Sequence, residues 1–256
     1  MISKIFNKTK AFFKATPVEN RTLTIGPNIA IVNCCKLISA DEITKAVEAI
    51  QIQIDRDLVP IWNLPANLYV YQQSDVLPKN SWVMYIMDTS DQAGALGYHE
   101  LTEEGNPIGY VFAADDIKYG LSWTVTLSHE IIEMLGDPFI NQVVFVQKTN
   151  TTGTLYSWEL NDAVEDDSLG YKINDVLVSD FVTPQWFQEF KTPNSTQFSF
   201  MNNVHAPFEL ANGGYIGAFE VGPPDSQGWT QVTPASGIGK RLAIKGPFSR
   251  NARRMK

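Results

Sequence analysis

The first clear pattern along the chain is the run from Ile29 to Asn33, continuously apolar and partly β-branched, which predicts a buried strand. Past it the period changes. Ile43, Val47, Ile50 and Ile54 recur at helical spacing, with Ser39 and Glu42 placed as N-cap and N3 of a capping box. A helix is therefore predicted from there to about Leu58, with Pro60 as its stop. Two strands follow, Asn67–Gln72 and Trp82–Asp88. The segments Ala95–Leu101 and Ile108–Ala113 flank a turn-rich stretch, Thr102 to Pro107, and read as a hairpin. Ser122–Gly136 is the most apolar helical candidate, closed by Gly136, Asp137 and Pro138. Trp123–Ser128 also alternates like a strand, which leaves the helix start open.

Beyond Pro138 the texture shifts to short strands and turns. Strands are predicted at Val143–Gln147, Leu155–Leu160, Tyr171–Ile173 and Val176–Val178, and a short helix at Pro184–Phe190. Residues 192–239, rich in Pro, Gly, Asn and Ser, read as loops with short strands. The order is β-α-β-β-β-α followed by an irregular β-rich half, hence an α+β fold. Four segments are expected: a basic N-terminal arm (1–20), an α/β half (21–140), a β- and loop-rich half that closes a cleft (141–239), and a basic C-terminal tail (240–256).

Composition narrows the classes. The 256 residues are 44% hydrophobic and 19% charged, which is globular and ample for a core. No apolar stretch approaches the roughly 18 residues of a membrane span. The N-terminus lacks a continuous apolar h-region, so a secretory signal is not expected. Cys34 and Cys35 are adjacent, a geometry that disfavours a bridge between them, and a reduced intracellular setting follows. The net charge of −8 hides an asymmetry. Residues 1–21 carry five Lys/Arg and one Glu, and residues 240–256 carry seven Lys/Arg and no acid. The stretch between holds eight bases against 27 acids, a net of −19. An acidic body with basic ends argues against specific nucleic-acid binding and suits cation binding or solubility. The ends read as solvated tails or as docking arms for an acidic protein partner.

One motif carries chemistry. His129, Glu130 and Glu133 form HExxE. On a helix, His129 and Glu133 rise from one face a turn apart and can share a metal. Glu130 lies about 100° around and reaches a metal-activated water without taking a ligand position. The apolar neighbours Val125, Leu127, Ile131, Ile132, Met134 and Leu135 make unpaired acids there costly, so a cation is expected. The same string recurs at His99, Glu100 and Glu103 beside a solvated turn, where a surface role or a place lining a cleft is expected. A third ligand is sought in the second acidic cluster, with Glu159 first, Asp162 as alternative or outer partner, and Glu165, Asp166 and Asp167 as a solvated turn. Asp137 is a cap or an alternative ligand, and His205 a loop residue or a cleft-lining one. One divalent ion is expected, zinc first, with manganese, iron or calcium as alternatives.

The order strand, helix, strands, hairpin and an HExx helix resembles the catalytic half of zincin metallopeptidases. His129, Glu130 and Gly136 fall on the first His, the Glu and the Gly of the metzincin pattern HExxHxxGxxH. Glu133 stands in place of the second His and Phe139 in place of the third, so three-histidine coordination is not implied. Glu159 and Asp162 resemble, at another spacing, the later Glu ligand and outer Asp of thermolysin-like gluzincins. A closer likeness is to phage and bacterial proteins with an S-H-E-x-x-E-x-x-x-D-P core and a later E-L/I-x-D element. The matching residues are Ser128, His129, Glu130, Glu133, Asp137 and Pro138, then Glu159, Leu160 and Asp162, within roughly 95–190. The resemblance implies a zincin-like mixed sheet with a backing helix and an HExxE active-site helix.

The leading expectation is a metal-dependent hydrolase acting on a peptide or protein, with His129, Glu133 and Glu159 as ligands and Glu130 as general base. The alternative is a phage-particle structural or assembly protein that keeps the scaffold and docks partners through its basic tails. The expected location is intracellular or virion-associated.

Overall fold

The computed structural model describes residues 25–90, 95–222 and 228–234. The two basic ends, 1–20 and 240–256, lie outside the described residues. Strand β1 (Asn28–Asn33) leads into helix α1 (Ala40–Ile52), whose start is the predicted capping box. The Ser39 side chain accepts from Glu42 N at 3.2 Å, and Glu42 Oε2 accepts from Ser39 N at 2.8 Å. Losing such a cap costs about 1 kcal/mol. Ile43, Val47 and Ile50 put the buried stripe of α1 on the sheet.

Pro60 does not stop this helix. A π-helical turn spans Gln53–Leu58, and a last helical turn, α2 (Val59–Trp62), ends at Asn63 in the left-handed region (φ 54°). The widened turn resets the hydrogen-bond register: the Val59 N–H reaches back to Ile54 O. Pro60 then falls in the first turn of α2, where a missing N–H is tolerated.

Strands β2 (Asn67–Gln72), β3 (Trp82–Met87), β4 (Gly97–Leu101) and β5 (Pro107–Phe112) complete a five-stranded sheet in the order β2-β1-β3-β5-β4. All pairs are parallel except β4–β5, the predicted hairpin, whose turn is closed by Gly105 at φ 80°. Ala113 leaves the sheet and begins a short helix, α3 (Ala113–Lys118), where the pattern had suggested strand. Helix α4 (Trp123–Gly136) follows. It settles the ambiguous Trp123–Ser128 stretch as helix. Asp167 Oδ2 accepts from Ser122 N at 2.6 Å, and Thr124 Oγ1 donates to Leu177 O at 2.6 Å, which anchors the helix start from outside it.

Strands β6 (Val143–Gln147), β7 (Gly153–Ser157), β10 (Ile216–Val221) and β11 (Trp229–Val232) form an antiparallel sheet in the order β11-β10-β7-β6. β8 (Tyr171–Ile173) and β9 (Val176–Val178) form a separate hairpin. The predicted strand to Leu160 ends at Ser157, and the helix at Pro184 is a 3-10 turn ending at Phe187. The fold is mixed α+β, and no helix among the described residues is long and apolar enough to cross a membrane.

One core spans position 140. Ile29, Ile31, Met84, Ile86 and Val111 of the sheet meet Leu127, Ile131 and Ile132 of α4, and Leu160, Val178 and Phe181 join the same cluster. A second cluster, around Trp186, Phe187 and Phe198, sits beneath the later segments. Trp62 joins the two. Its ring meets Trp158 edge-on at 5.5 Å, and its Nε1 donates to Val182 O at 2.8 Å.

Candidate metal centre

Helix α4 is buried from Val125 to Gly136, polar residues included. A helix apolar on one side can carry charge on the other only if something there meets that charge. His129 is 3% exposed, Glu130 4% and Glu133 0%. The helical spacing works as expected: His129 Nε2 lies 3.1 Å from Glu133 Oε2, one turn on.

The third group comes from the stretch after β7. Leu160 is fully buried against Gly136. A Cβ at Gly136 would stand 2.5 Å from Leu160 Cδ1, so glycine lets the buried Leu160 side chain settle on α4 without shifting. Asn161 N then donates to Glu133 Oε1 at 3.3 Å, and Asn161 Nδ2 donates to Asp180 O at 2.7 Å. A 3-10 turn begins at Asp162, whose carbonyl accepts from Tyr215 N at 2.9 Å. This fixed backbone delivers Asp162 Oδ1 to 3.3 Å from His129 Nε2.

His129, Glu133 and Asp162 therefore form one group, with a donor atom from each within 4.8 Å of the others. Glu159, the ligand expected first, is buried but is in neither group of converging donors. Asp162, the alternative, is in the group with His129 and Glu133. Asp137 is likewise in neither group. Its carboxylate accepts from Asn141 N at 3.0 Å and Gln142 N at 3.1 Å, and so caps the loop that leaves the helix. Glu165, at the end of the 3-10 turn, is buried rather than solvated, while Asp166 caps the next turn through Ser168 N. His205 is exposed and belongs to no such group.

His99, expected at the surface or lining a cleft, is not a surface residue. Across the sheet, His99 lies opposite Gly109, Gly109 opposite Met84, and Met84 opposite Ile31. Residues in one such row share a face, and Ile31 and Met84 belong to the core that α4 covers. His99 therefore points at the helix. It is 0% exposed, with Nδ1 3.4 Å from Glu130 Oε2. Gly97, two residues earlier on the same face, makes room: a Cβ there would meet Glu130 Cγ at 2.9 Å. His99, Glu130 and Glu133 form a second group of donors within 4.8 Å.

The electrostatics follow from this crowding. Burial pulls the His129 pKa down, but the charge of Glu133, the hydrogen bonds of Asp162 and Glu133, and the charge of Glu130 outweigh it and raise it to about 10. The carboxylates thus hold a positive charge at this point, a proton when no other cation is bound. That proton satisfies the geometry poorly. A ring nitrogen carries at most one hydrogen, and two carboxylate oxygens stand beside Nε2 at 3.1 and 3.3 Å. Charge-assisted pairs close to about 2.7–2.9 Å. Bonds of about 2.0–2.1 Å to a tetrahedral ion instead set its ligands about 3.3 Å apart.

Comparison with protein-family models, with curated proteins and with solved structures finds no match to this chain.

Proposed function

We propose that the protein is a metal-dependent hydrolase of peptide bonds, with His129, Glu133 and Asp162 holding one divalent ion, zinc by preference. The observation that carries this reading is the single His129 nitrogen facing two carboxylate oxygens at ligand-to-ligand spacing. The element order strand, helix, strands, hairpin and motif helix supports the resemblance to zincins. An ion held there would supply Lewis acidity, lowering the pKa of a water and polarising the scissile carbonyl. Glu130 stands beside the group without belonging to it, so it takes the water's proton and passes it to the leaving amine. Two carboxylate ligands leave the ion less positive than imidazoles would, which makes a slow enzyme the expectation.

Metal analysis tests it. Wild type purified in excess zinc should carry an ion at the His129 site, and His129→Ala should lose it. Glu130→Gln should keep that ion and lose peptide hydrolysis by roughly 10²–10⁴-fold. A wild type that retains no metal would sink the proposal.

The burial of every group favours a second reading. With His129, Glu133 and Asp162 all at 3% exposure or less, the ion is structural and the scaffold serves assembly, as in a phage particle. Under this reading chelation lowers the melting temperature, wild type cleaves no peptide, and removal of residues 1–20 and 240–256 abolishes partner binding.

A further inference from the structure

The second group, His99, Glu130 and Glu133, calls for its own account. We propose that it is a second divalent-cation site, sharing Glu133 with the first so that this carboxylate bridges two ions. The inference rests on the first site being a metal site.

Three observations carry it. First, the donors converge from two elements, β4 and α4, and all three residues are buried. Second, His99 is a polar side chain sealed in this cluster without a good hydrogen bond. Its Nδ1 faces Glu130 Oε2 at 3.4 Å, beyond the length of an ordinary N–H···O bond and close to the about 3.3 Å between ligands of one ion. Its Nε2 has no hydrogen-bond partner among the described residues. Third, the two groups together offer three carboxylates and two imidazoles, a donor set large enough for two divalent ions that share Glu133.

Ions bridged in this way stand about 3.5–4 Å apart. Their repulsion, with Glu133 already shared, makes the second site the weaker. Filling it occupies Glu130. Excess metal therefore removes the proton acceptor of the proposed hydrolysis and suppresses turnover.

Zinc titration of the metal-stripped full chain by calorimetry, with equilibrium dialysis for the count, tests this. Two ions per chain are expected, the second at least roughly tenfold weaker because of cation repulsion. His99→Ala and His99→Gln should each bind one tightly and lose the weaker, with melting curves that remain cooperative. Manganese in wild type should give two spin-coupled ions, a readout that needs no variant to fold. One ion in wild type, unchanged in the His99 variants, overturns the second site and leaves the first standing. Two ions that persist in those variants, or that show no coupling, overturn it as well. No ion at all overturns both sites, and one ion lost with His99 but kept in His129→Ala overturns the first site and with it the bridged pair.

Discussion

The chain carries His-Glu-x-x-Glu twice, at 99–103 and at 129–133, and folds the two copies differently. On α4 the period of 3.6 brings the first and last residues onto one side, and His129 meets Glu133. On β4 the period of two sends His99 to the core and Glu100 to the other face, and Glu103 falls in the exposed hairpin turn. The same letters thus make a facing His–Glu pair in one place and a single inward residue in the other. Yet the two copies are not independent. The strand's one inward residue points at the helix's Glu130. Backbone periodicity decides which residues of a motif act together, and sheet register decides what they meet.

Glu133→Ala should break the comparison outright. It removes the residue common to both groups, and zinc affinity should fall by more than the roughly 10–100-fold that loss of an outer partner costs. Calorimetry reads this directly. Gly136→Ala should act from behind, since its Cβ would strike Leu160 and push Asp162 away from His129. Overpacking of this kind costs about 1–3 kcal/mol, measurable as a lower midpoint in urea, and zinc affinity should drop with it.

A pH series sharpens the helical copy. The folded His129 pKa of about 10 lies above its ordinary 6.5, so the metal-free fold binds that proton more tightly than the unfolded chain. The stabilisation is complete below pH 6.5 and is lost as pH rises through about 10. Urea midpoints of chelated protein should decline across that window, and His129→Gln should flatten the decline. Zinc affinity should rise over the same range, because ion and proton compete for Nε2. The smallest effect is expected for Glu103→Ala, the strand copy's counterpart of Glu133. It sits in the solvated turn, and both stability and zinc binding should change by no more than about 0.5 kcal/mol.

Local patterns were the readable part of the sequence. The capping box at Ser39, strands β1, β2 and β6, the hairpin at Thr102 and the α4 helix all follow from periodicity and end signals within a few residues. So did the pairing of His129 with Glu133, which helical geometry alone dictates. Three matters were not readable because they depend on distant partners. Pro60 looked like a stop until the π turn upstream altered its register. Asp162, not Glu159, lies beside His129 and Glu133, because the later segment meets α4 through the contact of Leu160 with Gly136. The inward face of β4 was hidden because both faces carry bulky residues: Tyr98 is as buried as its neighbour, packed with Tyr110 and Phe112 on the opposite side. Only the row from Ile31 through Met84 and Gly109 identifies which face holds His99.

The π turn at Gln53–Leu58 has an angular value. Every residue after it is rotated by about 100° relative to an uninterrupted helix, as though one position had been slipped into the winding. That offset aims Trp62 at Trp158 and at the carbonyl of Val182. Trimming one residue from the turn would leave a more regular helix facing the wrong way, and the joint between the early and late parts of the chain would lose its pin.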